Sequence, residues 1–213
     1  MSVKSRVSSS KTQIKSLISS SKELFLKYGV KSVSMDDIAR FMGISKKTIY
    51  NVITNKNSLV VAAVSAFIKE EEKTISQLIA SSENALDEMF KISRHVHQLL
   101  KSLRPSLAYD LKKYYPIAWE KVQTKHFDFI EEVIAKNIER GIKDGFYRDN
   151  LDSTVIAKLY INISTLMARE EVFNPQDYQM SEIYDFVMAY HMNGILNNTG
   201  RKEMSKYLKK NFA

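Results

Sequence analysis

The stretch SMDDIARFMGISKKTIYNVITNK, residues 34 to 56, is punctuated as two short helices around one tight turn. Ser34 marks a helix start. Its hydroxyl can accept from the free N–H groups of the first turn, and Asp37 three residues on completes a capping box. Met35, Ile38, Ala39 and Met42 then share one helical face. Gly43 supplies the left-handed residue that ends this helix, Ile44 turns toward the core, and Ser45 caps the next helix. The spacing predicts a helix-turn-helix over about 34–53.

Winding residues 45 to 54 at about 100° per residue separates two faces. Ile49 and Ile53 fall on one, with Val52 beside them. Lys47, Tyr50, Asn51 and Thr54 fall on the other, with Lys46 and Thr48 on the flanks. The outer face carries no acid. Lysine neutralises phosphate, Tyr and Thr hydroxyls bond phosphate oxygens, and Asn can read an adenine edge. The face therefore suits a DNA groove, against the plainer reading of a solvated surface. Ser34, Ser45, Lys46, Lys47, Thr48, Tyr50, Asn51 and Lys56 are the candidate DNA contacts. Lys56 opens the following helix, where a phosphate would satisfy both the lysine and the free N–H groups.

G-I-S-K-K-T-I-Y followed by N-K-x-x-L, residues 43 to 59, resembles the DNA-binding motif of TetR-type (TetR/AcrR) transcriptional regulators. L-F-x-x-x-G (Leu24 to Gly29) and S-M-D-D-I-A (Ser34 to Ala39) match the same family in register, over about residues 10 to 68. P-S-L-x-x-D-L-x-K-Y-Y-P-x-A-W, residues 105 to 119, resembles a subgroup of it. The family usually has aromatic or polar residues where Asn51 and Val52 stand, and Phe in place of Ile53. Val52 cannot bond phosphate, so the footprint would weaken or shift there.

Charge is distributed to match. Residues 1–56 hold 11 Lys and Arg against 3 Asp and Glu, whereas the remainder holds 21 of each. The whole formal excess of +8 thus lies with the helix-turn-helix pattern, as expected of a nucleic-acid-binding module on a neutral body. With 44% hydrophobic residues the chain can bury a core. The absence of cysteine excludes disulfides, Cys-ligated zinc and thiol catalysis, and fits a reducing cytoplasm. MSVKSRVSSSK has no apolar run of a signal peptide, and the longest nearly apolar stretch, residues 59–68, is too short to span a bilayer. No membrane association is expected.

The rest reads as helix throughout, with three prolines and no strand-like alternation, so the fold class is all-α. Residues 1–10 read as an unstructured basic arm, and a first helix spans about 12–28. It should pack on the helix-turn-helix to form a three-helix core that would be marginal alone. Later helices are expected at about 56–81, 85–103, 106–114, 117–143, 152–171, 181–196 and 201–210. This predicts two domains: a DNA-binding head at 1–56, with the helix from about 56 as linker, and a helical effector-binding and dimerisation body at 57–213.

Catalysis has little support. His95 and His97 diverge on a helix, His126 and His191 lack partners at zinc-ligand spacing, and there is no G-x-S-x-G elbow or Gly-rich phosphate loop. No enzyme activity, metal or cofactor is expected. Helices over 152–171 and 181–196 are apolar nearly all round and need cover on two sides. The expected cover is a second copy, giving a two-fold four-helix bundle through Ile156, Leu159, Ile163, Met167, Tyr184, Val187, Tyr190 and Ile195. An aromatic corner after Pro116, with additions from nearby helices, suggests an effector pocket of His95, Leu99, Tyr109, Tyr115, Trp119, Phe127, Tyr160 and Met167. Each of these residues taken singly also reads as ordinary core. The resemblance implies a dimeric regulator, a repressor released from a palindromic double-stranded operator by a small molecule. The alternative is a helical architectural or adaptor DNA-binding protein without an effector.

Overall fold

Helices α1 (Val3–Tyr28), α2 (Met35–Met42), α3 (Lys46–Tyr50) and α4 (Lys56–Ala80) follow the punctuation of the sequence. They are succeeded by α5 (Ala85–Ser102), α6 (Leu107–Tyr114), α7 (Pro116–Lys121), a π-helical segment Val122–Phe127, α8 (Asp128–Lys143), α9 (Ser153–Met167), α10 (Met180–Ile195) and α11 (Asn198–Phe212). This computed structural model describes residues 3–167, 169, 171–174 and 176–212, with side chains from Thr12 to Tyr207. No strand occurs among the described residues; Tyr147 and Leu196 form a single isolated antiparallel bridge. The fold is all-α, with a helix-turn-helix in the N-terminal part.

Four boundaries correct the sequence expectations. The expected arm at residues 1–10, whose first two residues lie outside the described ones, is helical from Val3, because no Gly or Pro interrupts the segment and each added residue gains a backbone hydrogen bond. The second helix of the motif stops at Tyr50 rather than about Ile53: the N–H groups of Val52 and Ile53 both turn back to the Ile49 carbonyl, at 3.0 Å each. The single helix expected over 117–143 contains the wider π turn at 122–127, which shifts the phase of every following side chain. The last helix starts at Asn198, because Asn197 is a cap, its Oδ1 accepting from the Gly200 N–H at 2.9 Å. Gly200 is no breaker. A Cβ there would collide with the Phe146 carbonyl.

The chain divides into two compact units. The first comprises Met1–Glu71 and Ser102–Lys125, the second Glu72–Lys101 and His126–Ala213. The charge-based boundary at residue 56 falls at the first residue of α4, which runs on to Ala80. In the first unit Leu17, Phe25, Ile38, Ile49 and Leu59 form a core that Leu111 of α6 and Ala118 of α7 complete. The head is therefore larger than the three-helix core read from sequence.

The core of the second unit joins Leu86, Met89, Ile134, Ile138, Ala157, Tyr184, Met188 and Ile195. A polar network sits inside it. Asn137 Nδ2 donates to the Ala85 carbonyl and to Glu88, each at 3.0 Å. Arg140 pairs with Glu88 at 2.7 Å, and the Tyr147 hydroxyl donates to Asn137 Oδ1 at 2.9 Å. Gly141 has no side chain because the Tyr147 ring occupies the place of its Cβ. The network fixes α5 against α8 by partnered polar groups rather than by apolar contact alone.

Candidate nucleic-acid interface

Two caps set the reading geometry. Ser34 Oγ accepts from the Asp37 N–H at 3.1 Å, and Asp37 Oδ2 accepts from the Ser34 N–H at 2.9 Å. The hydrogen bonds from Ser34 hold the Asp37 carboxyl below its ordinary pKa. Gly43 adopts φ 64°, the left-handed turn between the helices. Ser45 Oγ then accepts from the Thr48 N–H at 3.0 Å. With α2 anchored through Met35, Ile38 and Ala39 and α3 through the fully buried Ile49, the opposite side of α3 is fixed outward.

Ser45, Lys46, Lys47, Tyr50 and Asn51 are exposed there, and Thr48 is half-buried. Ser34 is exposed at the start of α2. The outer face is not free of acid, as sequence reading held. Lys46 pairs with Asp36 of α2 at 2.9 Å, and that carboxylate raises the lysine's pKa. Asp36 lies ten positions upstream on another helix, so a wheel drawn for α3 alone could not include it. Asn51 caps α3, its N–H donating to the Lys47 carbonyl at 3.1 Å. Lys56 is half-buried, with Nζ 3.4 Å from the Lys31 carbonyl oxygen and 5.6 Å from the Tyr115 ring centre. The start of α4 is capped by Asn55, which accepts from the Ser58 N–H at 2.9 Å.

Charge follows the structural units more closely than the sequence boundary. The first unit holds 17 basic and 7 acidic residues, the second 15 and 17. Residues 102–125 contribute five of those basic residues.

The residues grouped in sequence as an effector pocket divide between the units. Tyr109, Tyr115 and Trp119 belong to the first, where Tyr115 and Trp119 pack on the head's core and Tyr109 is exposed. His95, Leu99, Phe127, Tyr160 and Met167 belong to the second. His95, Leu99 and Phe127 are half-buried, whereas Tyr160 and Met167 lie in its core. The boundary between the units falls inside the π segment, between Lys125 and His126.

The residues grouped as a dimer face divide too. Met167, Tyr184 and Ile195 are buried in their own unit, so they have no surface left to offer. Ile156, Ile163 and Val187 are half-buried. Leu159 and Tyr190 are exposed, together with Val155, Leu166 and Phe186, which sequence reading left out of the face. Phe186 is 79% and Tyr190 74% exposed, and they stand four residues apart on α10.

Near that face the second unit buries polar groups. His191 Nε2 is buried and makes no hydrogen bond, whereas the Tyr184 hydroxyl is paired with Tyr160 and Ser93. The Tyr160 ring lies edge-on to His191 at 5.0 Å, its hydroxyl 3.5 Å from Met188 Sδ. Burial raises both phenols and pushes His191 down from 6.5 to about 4. Acid should therefore destabilise the unit. Between about pH 6.5 and 4 the unfolded chain binds a proton that folded His191 refuses, so stability falls with pH, by up to about 3 kcal/mol at the lower end. His191→Leu should remove that share of the loss between pH 7 and 4.5 in urea melts. An undiminished loss in the variant would refute the assignment.

No group of three His, Cys, Asp or Glu among the described residues could hold a metal ion, and no described helix is long and apolar enough to cross a membrane.

Residues 17–63 match the model of bacterial regulatory proteins of the tetR family. The chain is 27% identical over 168 residues to the uncharacterized HTH-type transcriptional regulator YvaF of Bacillus subtilis, covering 77% of this chain and 86% of that one. A TetR-family regulator from Agrobacterium tumefaciens superposes with a TM-score of 0.71 at 16% identity, over 88% of this chain and all (100%) of that one. A protein from Saccharomonospora viridis, solved in complex with choline, superposes with a TM-score of 0.67 at 14% identity, over 88% and 100% respectively. At such identities these two structures speak for the fold alone.

Proposed function

We propose that this chain, a TetR-type DNA-binding transcriptional regulator, acts as a cytoplasmic homodimeric repressor, released from a near-palindromic operator by a small organic effector. The observation that carries this reading is the pairing, in one chain, of a basic reading head with an unpartnered apolar face. The head would present Lys47, Tyr50 and Asn51 to the major groove, with Ser34, Ser45, Lys46, Thr48 and Lys56 on the flanking phosphates. The exposed apolar rows of α9 (Val155, Leu159, Leu166) and α10 (Phe186, Tyr190) would be covered by the same rows of a second copy.

For the effector, support comes from the second unit. His191 keeps a buried Nε2 without a hydrogen-bond partner beside the buried Tyr160 ring, where a lost hydrogen bond costs about 1–3 kcal/mol. The Tyr160 and Tyr184 phenols and the imidazole are uncharged near neutral pH, so they favour an uncharged, mainly apolar molecule with one or two hydrogen-bonding groups.

Linkage supplies the test. A compound that binds the second unit should change operator affinity by about 5- to 150-fold, and operator DNA should change the compound's affinity by the same factor. Tyr184→Phe should weaken the compound and leave ligand-free DNA binding unchanged. If no compound in a broad screen shifts DNA affinity, regulation without an effector becomes the better account.

A further inference from the structure

Lys31, Lys112 and Lys113 are exposed, and α6 brings Lys113 beside the loop that carries Lys31, with Lys112 next to it in the chain. Lys31 Nζ donates to the Tyr114 hydroxyl at 3.0 Å and stands 4.6 Å from the centre of that ring. Lys113 Nζ donates to the Tyr109 hydroxyl at 2.6 Å and lies 5.5 Å from the Tyr114 ring centre. Two ammonium groups therefore converge on one phenol. The acid of this helix is turned inward: Asp110 is buried, and its Oδ2 accepts from the backbone N–H of Lys31 at 3.2 Å. The resulting surface is cationic and phenolic, with its carboxylate turned inward. It adjoins the start of α4 directly, since Lys56 Nζ reaches the Lys31 carbonyl.

We infer that the Lys31, Lys112 and Lys113 surface is a second phosphate-binding face of the head, contacting the DNA backbone beyond the helix-turn-helix. Three features favour DNA over other anions. The face lies in the unit that carries the protein's whole excess of positive charge. It is continuous with Lys56, the lysine proposed above to meet phosphate. Its groups are exposed point charges and hydroxyls, which suits a repeating polyanion read by charge. Hydrogen bonds from the lysines lower the Tyr114 phenol's pKa, and those to Tyr114 and Tyr109 raise the pKa of Lys31 and Lys113, so both cations persist through the neutral range. A phosphate placed among them would relieve their mutual repulsion.

This inference rests on the reading of the head as a DNA-binding module, and the experiment separates the two. The probe is a mixed-sequence DNA duplex of about 40 base pairs, titrated by anisotropy across a range of salt concentrations, so that no operator need be known. Lys31→Gln with Lys113→Gln should reduce the slope of log affinity against log salt by about two, and weaken binding about five- to tenfold per lysine near 0.1 M salt. Lys112→Gln should add about one more to the loss of slope. Tyr114→Phe keeps every charge while removing the Lys31 hydrogen bond, so it should leave the slope unchanged. If the wild type binds with a steep salt slope and the lysine variants keep that slope, the second face is refuted and the head's reading stands. If the wild type shows no salt-dependent binding, both fall. A Tyr114→Phe loss of slope equal to that of the lysine variants would show that the contacts only staple α6 in place, and would likewise overturn the inference.

Discussion

Phe186→Glu combined with Tyr190→Glu is expected to leave a folded monomer whose operator affinity is about 10²- to 10⁴-fold lower than the wild type's. Both side chains are exposed in the single chain, so charging them removes no contact of its own core and should leave the melting temperature of the monomeric fold close to normal. Placed against a second copy, two added carboxylates per chain would meet their symmetry mates in an apolar interface, where unpaired charge costs several kcal/mol. The loss of DNA affinity follows from geometry. A dimer holds two heads one helical turn of DNA, or a multiple, apart, so that binding of the first half-site makes the second intramolecular. Sedimentation equilibrium and operator titration check the two halves separately. A wild-type chain that is monomeric at micromolar concentration would refute the dimer, and unchanged mass in the double variant would move the interface elsewhere. Ile195→Glu is the poorer probe: Ile195 is 2% exposed, and its loss would report on folding.

The second large effect is expected at the reading head. Lys47→Ala with Tyr50→Ala should lower operator affinity by about a hundredfold, from a combined loss of roughly 3 kcal/mol, while the helical circular dichroism stays that of the wild type. The structural reason for sparing the fold is that α3 is anchored by Ile49, fully buried, and by the Ser45 cap, neither of which these substitutions touch. Asn51→Ala should behave differently, relaxing sequence preference at one base pair by about 1–3 kcal/mol if its amide reads an edge. Unchanged affinity in the double variant, measured on the selected operator, would remove DNA reading from α3.

Much of this was legible before the structure. The two caps, Ser34 with Asp37 and Ser45, and the left-handed Gly43 are local signals, and local chemistry decides them. The near-neutral body and basic head were legible because charge sums need no coordinates. Three things were not. Asp36 reaches Lys46 only once α2 and α3 are folded against each other. The attachment of α6 and α7 to the head joins residues some 50 to 80 positions apart, through Leu111, Ala118 and the Asp110 bond to Lys31, and no periodicity encodes that. The phase of α9 and α10 was ambiguous for a physical reason: a helix apolar nearly all round gives no amphipathic direction, so Phe186 and Tyr184 look alike in sequence. Packing decides that Tyr184 turns inward at 3% exposure and Phe186 outward.

The central claim is that this head reads duplex DNA in two copies through α3. The most direct measurement is a hydroxyl-radical footprint of the wild-type protein on a fragment recovered by selection from genomic DNA, run beside the Lys47→Ala, Tyr50→Ala double variant. The account predicts two protected backbone segments, related by a near-palindrome and centred about one helical turn or a small multiple apart, both lost in the variant at the same protein concentration. Selection that enriches no sequence, or a footprint that survives intact in the variant, would contradict it.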